Sequence, residues 1–252
     1  MTPPSDPLRD DEGGDTDDED ARRAAAEDGE AAAFRTAAAA LVPPVGAPVP
    51  RPPPRKRPKP GERRVQILQT LATMLEEPGA ERVTTAALAA KLDVSEAALY
   101  RHFASKAQMF EGLIEFIEQS VFALVNQVAE READAGQQAR RMLAVVLQFG
   151  EKNPGMTRVM VGDALVFENE RLTARMNQFF DRIESQLRQS LRVAAEQAGS
   201  QTPTVDAAGQ ASALVAFAVG RLQRFARSRF KRSPTEHLDI ALAFFTAGTA
   251  SR

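Results

Sequence analysis

The chain has 252 residues, 34 acidic and 32 basic, and its net charge of −2 argues neither for nor against a nucleic-acid partner. It has no cysteine, which excludes disulfides, thiolate metal sites and thiol catalysis. Its two histidines, His102 and His237, are too far apart in sequence to suggest a metal centre, and no run approaches the roughly 18 apolar residues of a membrane helix.

The averaged charge conceals an asymmetry. Residues 1–30 hold twelve acidic and three basic residues, residues 31–60 hold six basic and no acidic ones, and the rest is nearly balanced. The Ala-rich patch Ala31–Leu41 has little to bury, and nine prolines between Val42 and Pro60 forbid helix, so residues 1–60 are read as a disordered tail. An acidic amino terminus without an apolar stretch is unlike a secretory signal, and a cytoplasmic protein is expected. The tail ends in a basic string, Arg51, Arg55, Lys56, Arg57, Lys59, Arg63 and Arg64. It is either a solvated linker or an arm that neutralises phosphates.

Folded structure is expected from Gly61. Val65, Leu68, Leu71, Ala72 and Leu75 recur at helical spacing, and Pro78-Gly79 ends that helix. Thr84 and Thr85 can cap a second helix running to about Leu92, Asp93-Val94-Ser95 supplies a turn, and Ser95 can cap a third over Glu96–Phe103. Leu99 and Phe103 would anchor the third helix inward, leaving Ser95, Glu96, Ala97, Ala98, Tyr100 and His102 outside. Small residues at a helix start let it enter a major groove, and the hydroxyls and imidazole beside them can bond phosphate or base edges. Thr84, Thr85 and Lys106 also lie in first turns, where a phosphate is welcome. These nine residues are the candidate DNA contacts, on a helix-turn-helix head spanning 61–104.

Ser105 should cap a long fourth helix with an inward stripe of Phe110, Ile114, Ile117, Val121, Leu124 and Val128. Further helices are expected at about 137–152, 154–163, 168–198, 206–230 and 234–248, making 105–252 a helical body and the whole chain all-α. Two surfaces of this body stand out. Phe116 lies off the inward stripe, and with Val145, Gln148, Lys152 and Asn153 it could wall a shallow groove with apolar sides and a basic end. Simple helix packing and docking of an acidic peptide with apolar anchors are both open on the residues alone. Ala211, Leu214, Val215, Ala218, Leu222 and Phe225, with Leu238, Leu242 and Phe245 on the last helix, keep a spacing suited to a four-helix homodimer interface, the alternative being that both stripes pack within one subunit.

A three-helix head on a larger helical body is similar to the TetR family of transcription regulators. The resemblance is carried by Thr84-Thr85, the Val94-Ser95 turn, Leu99-Tyr100-Arg101-His102-Phe103 and Ser105-Lys106, with Asp93 where that family often has glycine. Within it, Arg63-Arg64, Ile67-Leu68-Gln69, Met74-Leu75-Glu76, Leu113–Glu118, Phe149–Gly155, Arg182–Arg188 and Arg227–Lys231 resemble the nucleoid occlusion factors. That resemblance implies a homodimer on specific palindromic chromosomal sites that captures the carboxy-terminal tail of FtsZ, the tubulin-like division protein. It assigns the capture to Phe116, Val145, Gln148, Lys152 and Asn153, and places the protein on the nucleoid. The alternative is a repressor of the same fold released by a small inducer, for which the body offers few convergent polar groups. No nucleophile–base pair, phosphate-binding glycine loop or metal cluster points to an enzyme, and no cofactor is expected.

Overall fold

The computed structural model describes residues 62–77 and 83–247, and every regular element among them is helical. The tail of residues 1–60 and the Pro78-Gly79 break lie outside the described residues. The head consists of α1 (Glu62–Glu76), α2 (Thr85–Lys91) and α3 (Glu96–Tyr100). Thr84 caps α2, its hydroxyl accepting the Ala87 N–H at 3.1 Å. Asp93 then takes a left-handed φ of 54°, and the N–H groups of Asp93 and Val94 bond back to the carbonyls of Ala90 and Ala89. This pair of bonds satisfies the orphan carbonyls at the end of α2, and Asp tolerates the backbone that glycine would otherwise supply.

Helix α3 is shorter than its apolar spacing suggests. It stops at Tyr100, and the N–H groups of His102 and Phe103 both donate to the Leu99 carbonyl, a tighter closing turn. A five-residue helix has no stability of its own. It is held by Leu99 and Phe103, each 1% exposed, and by Arg64 of α1. The Arg64 guanidinium lies 4.2 Å from the Phe103 ring centroid and donates to the His102 carbonyl at 3.0 Å.

The body follows as α4 (Lys106–Arg131), α5 (Ala135–Lys152), α6 (Pro154–Met160), a 3-10 turn (Asp163–Leu165), α7 (Glu170–Gln197), α8 (Pro203–Arg227) and α9 (Leu238–Ala247). Ser105 opens α4 with a reciprocal cap: its hydroxyl accepts the Gln108 N–H, and the Gln108 side chain accepts the Ala104 N–H. Asp134 and Asn169 cap α5 and α7 in the simpler one-way form. Gly162, at φ 84°, separates α6 from the 3-10 turn and ends that helix earlier than its apolar run implies. Ile117, Val121 and Val125 of α4 join Leu143, Val146, Phe179, Leu187 and Leu222 in one core, all essentially inaccessible. Leu124 and Val128 are only half-buried, because Val125 takes the inward position.

Head and body meet at one very close approach. A Cβ on Gly155 would stand 2.0 Å from the Ala72 carbonyl oxygen, so only glycine lets α6 lie this near α1. Along the other side, α4 is tied to α7 and its approach by ion pairs of Lys106 with Glu168, Glu111 with Arg171 and Glu118 with Arg175.

The packing places most of the expected dimer stripe inside the subunit. Ala211, Leu214, Val215, Ala218, Leu222 and Phe225 are buried within the single chain, where α8 turns them toward α5 and α7. Leu238 and Leu242 are buried likewise, and Phe245 packs edge-on against Phe217 with centroids 5.3 Å apart. These eight side chains are enclosed by their own subunit, whereas Phe245 is only half-buried. The outward apolar side chains of these helices are Val205, Ile240 and Phe244, at 70%, 61% and 78% exposure. Between them α8 presents Gly209, Ser212, Ala213, Ala216 and Gly220, a strip of small residues along its outer side.

Candidate nucleic-acid interface and partner groove

The outward side of the head gathers most of the sequence-predicted DNA contacts. Ser95, Glu96, Ala97, Tyr100 and His102 are exposed around α3, with Tyr100 45% accessible, and Thr84 is exposed at the start of α2. Thr85 and Ala98 are half-buried. Ser95 occupies the capping position of α3, yet its hydroxyl makes no cap bond and is left for another partner. Thr85 donates to the Glu96 carboxylate at 2.7 Å, which locks the start of α2 to the start of α3. A carboxylate here sits well on a helix amino terminus and gives the front of the recognition helix an acceptor.

Lys106 differs from its expectation. A phosphate contact needs an outward ammonium, whereas its side chain is only 26% accessible and its ammonium is paired with Glu168. Its charge also lies 5.6 Å from the Phe110 ring centroid. Any phosphate contact by Lys106 must therefore compete with Glu168. Sequence reading missed Arg64 and Glu168 as controlling residues. The basic string that contains Arg64 was visible, but a partner 38 residues away in sequence carries no local signal.

The second surface runs between α4 and α5. A short turn joins the two helices, so they are antiparallel, and Phe116 and the Gln148–Lys152 segment both lie roughly fifteen residues, or about 22 Å, from it. The register therefore sets them at one level. Phe116 and Val145 are half-buried against the core, while Gln148 and Lys152 are exposed. Asn153 is both the end of α5 and the start of α6, and its side-chain amide donates to the Phe149 carbonyl at 2.8 Å, fixing the corner. Glu118 is taken up by Arg175, whose pKa it raises, so it does not repel an anion from the groove as a free carboxylate would.

Glu76 lies where head and body join. It is half-buried, and burial raises its pKa above the ordinary 4.5, against the opposing bond from the Gly155 N–H. Among the described residues no group of histidine and carboxylate side chains is placed to hold a metal ion, and no helix is long and apolar enough to cross a membrane.

Residues 67–113 match the family model of bacterial regulatory proteins of the tetR family. Residues 135–249 match that of the tetracyclin repressor-like, SlmA-like carboxy-terminal domain. The nucleoid occlusion factor SlmA of Vibrio atlanticus is 51% identical over 186 residues, covering 73% of this chain and 94% of that protein. The chain belongs to the SlmA family. The SlmA of Photobacterium profundum agrees at 52% identity over 178 residues, 70% of this chain and 90% of that protein. Solved structures give the same fold at lower identity. The TetR family regulator PfmR of Thermus thermophilus has a TM-score of 0.59 at 23% identity, covering 72% of this chain and 97% of its own. A TetR-family regulator of Syntrophomonas wolfei reaches 0.61 at 14% identity, covering 77% and 97%. This SlmA relative is thus a nucleoid occlusion factor by family, with the helix-turn-helix head of a DNA-binding regulator.

Proposed function

We propose that the chain is a homodimer that binds specific palindromic chromosomal DNA and, once bound, captures the carboxy-terminal tail of FtsZ, opposing Z-ring assembly over the nucleoid. It acts in the cytoplasm by binding alone, with no catalytic step. The observation that carries the reading is identity of about half to SlmA proteins over 90% or more of their length, on a head whose recognition helix faces outward. In this reading residues 61–104 bind DNA, residues 105–252 dimerise and hold the partner, and the tail of 1–60 adds charge.

The DNA contacts are Thr84, Thr85, Ser95, Glu96, Ala97, Ala98, Tyr100, His102 and Lys106. Ala97 and Ala98 let the helix sink, Ser95 and Glu96 meet base edges, and Thr84, Tyr100 and His102 meet phosphates. The FtsZ tail lies between α4 and α5 with apolar anchors on Phe116 and Val145, Gln148 at the rim, and its acidic residue toward Lys152 and the Asn153 corner.

The outer strip of α8, with Ile240 and Phe244 of α9, replaces the buried stripe as the dimer surface. Small residues allow close helix approach, and two copies set their recognition helices about 34–36 Å apart, one turn of the duplex.

Co-sedimentation with FtsZ polymers, with and without specific DNA, tests the reading. The chain should pellet with FtsZ when DNA is present, and Lys152→Glu should weaken tail binding at least ~10-fold while DNA affinity stays unchanged. Lys152 is exposed, so folding is not at stake. Undiminished tail binding by a folded Lys152→Glu chain removes the groove from the mechanism.

A further inference from the structure

A concave site on the body has no place in this account. Arg158 of α6, Asp163 of the 3-10 turn, Val166 and Phe167 after it, and Arg227 and Arg229 at the end of α8 line a cavity of about 500 Å³. Three arginines and one aspartate thus line the same cavity, and none of the three arginines is ion-paired among the described residues. The Arg158 Nε is fully enclosed and has no hydrogen-bond partner there. Buried donors are paired in the great majority of native structures, and this enclosed, unmet donor belongs to an arginine on the wall of a cavity that holds two further arginines without ion pairs.

The backbone gives a second, independent sign. Arg229 and Phe230 both take left-handed φ values, 53° and 62°, where such side chains are rarely found. The turn is fixed on every side. The Phe230 N–H donates to the Phe225 carbonyl at 2.9 Å, and the Ser228 hydroxyl accepts the N–H groups of Lys231 and Arg232. The Phe230 ring packs edge-on against Phe225 and lies 5.7 Å from the Arg158 guanidinium. Strain of this kind persists where the structure over-determines a geometry, and here it sets Arg229 beside Arg158 and Arg227. Val166, at 69% exposure, and Phe167, at 66%, supply an apolar wall to the same cavity.

We propose that this cavity binds a small organic anion, a phosphate or carboxylate head carrying a short apolar group. Arg158, Arg227 and Arg229 take the head, as guanidiniums take planar and tetrahedral oxyanions through paired N–H donors. The apolar group lies against Val166 and Phe167. The volume falls within the range of small-molecule pockets, and the mixture of a few charged groups with an apolar wall is their usual chemistry. The residues of the DNA face and of the α4–α5 groove take no part.

Isothermal titration of the full chain at fixed ionic strength tests this, with hexyl phosphate and hexanoate as probes and inorganic phosphate and acetate as controls. One saturable site per chain is expected for at least one of the two probes, ~10-fold or more tighter than its control, and the probe that binds names the head group. Arg229→Gln should weaken that binding at least ~10-fold. Arg158→Gln should do the same; Arg229 is exposed, so its variant reports on the site even if Arg158→Gln disturbs the fold. Phosphates held by the basic string 51–64 would be insensitive to both changes. The proposal is overturned if neither probe saturates, if each control binds as tightly as its probe, or if folded Arg229→Gln binds like the parent.

Discussion

Tyr100 shows how exposure and chemistry combine at one position. It is the chain's single tyrosine, stands 45% accessible at the end of α3, and is not one of the two buried anchors of that helix, Leu99 and Phe103. Tyr100→Ala should weaken DNA binding while leaving thermal stability within about 0.5 kcal/mol, as for surface changes away from special features. Losing one phosphate contact should lower the slope of log affinity against log salt by roughly one unit. A gel-shift titration across salt that shows no change removes Tyr100 from the interface. Glu76 calls for the opposite kind of test, since it is partly enclosed. Its raised pKa means the folded chain takes up the proton at higher pH than the unfolded chain does. Stability from this group therefore grows as pH falls through its folded value toward 4.5, and above that value its charge is a cost. Glu76→Gln should be as stable as the parent or more so at pH 7, with the difference vanishing below the unfolded value. Denaturant midpoints measured from pH 4 to 7.5 check this. A less stable variant at pH 7 would show that the carboxylate's bond from the Gly155 N–H outweighs its burial.

At the scale of elements, the seam between α1 and α6 is the most exacting contact. Gly155→Ala would drive a methyl group to 2.0 Å from the Ala72 carbonyl, which is backbone and cannot rotate away. Overpacking of this kind typically costs about 1–3 kcal/mol, and here the head must also tilt on the body. The variant should melt earlier and bind palindromic DNA more weakly than single half-sites would explain, because tilting changes the spacing of two heads. Scanning calorimetry and gel shifts on both sites separate the two effects. This seam also shows what sequence reading reaches. Caps such as Thr84 and Ser105 and the Asp93 turn were legible, because each is a bond or dihedral set by residues within four positions. The Gly155–Ala72 approach and the Lys106–Glu168 pair were not, because they join residues far apart in sequence. The two sides of α8 were not told apart for a different reason. Helix α8 is rich in alanine and other small or apolar residues on two sides, so spacing alone could not say which side is enclosed by α5 and α7 and which is left outward. Bulk decides it: Leu214, Leu222 and Phe225 go inward, and Gly209, Ala213, Ala216 and Gly220 remain outside.

For the whole molecule, in the proposed dimer, the outer strip of α8 is the decisive surface, because a single head offers too little contact for tight, specific binding. Ala216 lies in the middle of that strip and is exposed in the single chain, so a larger side chain there meets no resistance from the subunit's own core. Ala216→Glu should leave each subunit folded, with helical content and melting measured at low concentration close to the parent's. Across a two-fold axis the same carboxylate faces its own copy or a neighbouring small residue. Burying a charge there without a partner opposes association strongly. Sedimentation equilibrium should then show monomer at micromolar concentration. Affinity for a palindrome should fall at least ~100-fold, since the second head no longer binds as part of one molecule. Half-site affinity should stay the same. A folded Ala216→Glu chain that remains dimeric would move the interface off this strip, with the outer face of α7 next in line. A monomer that still bound the palindrome like the parent would mean that DNA itself assembles the pair.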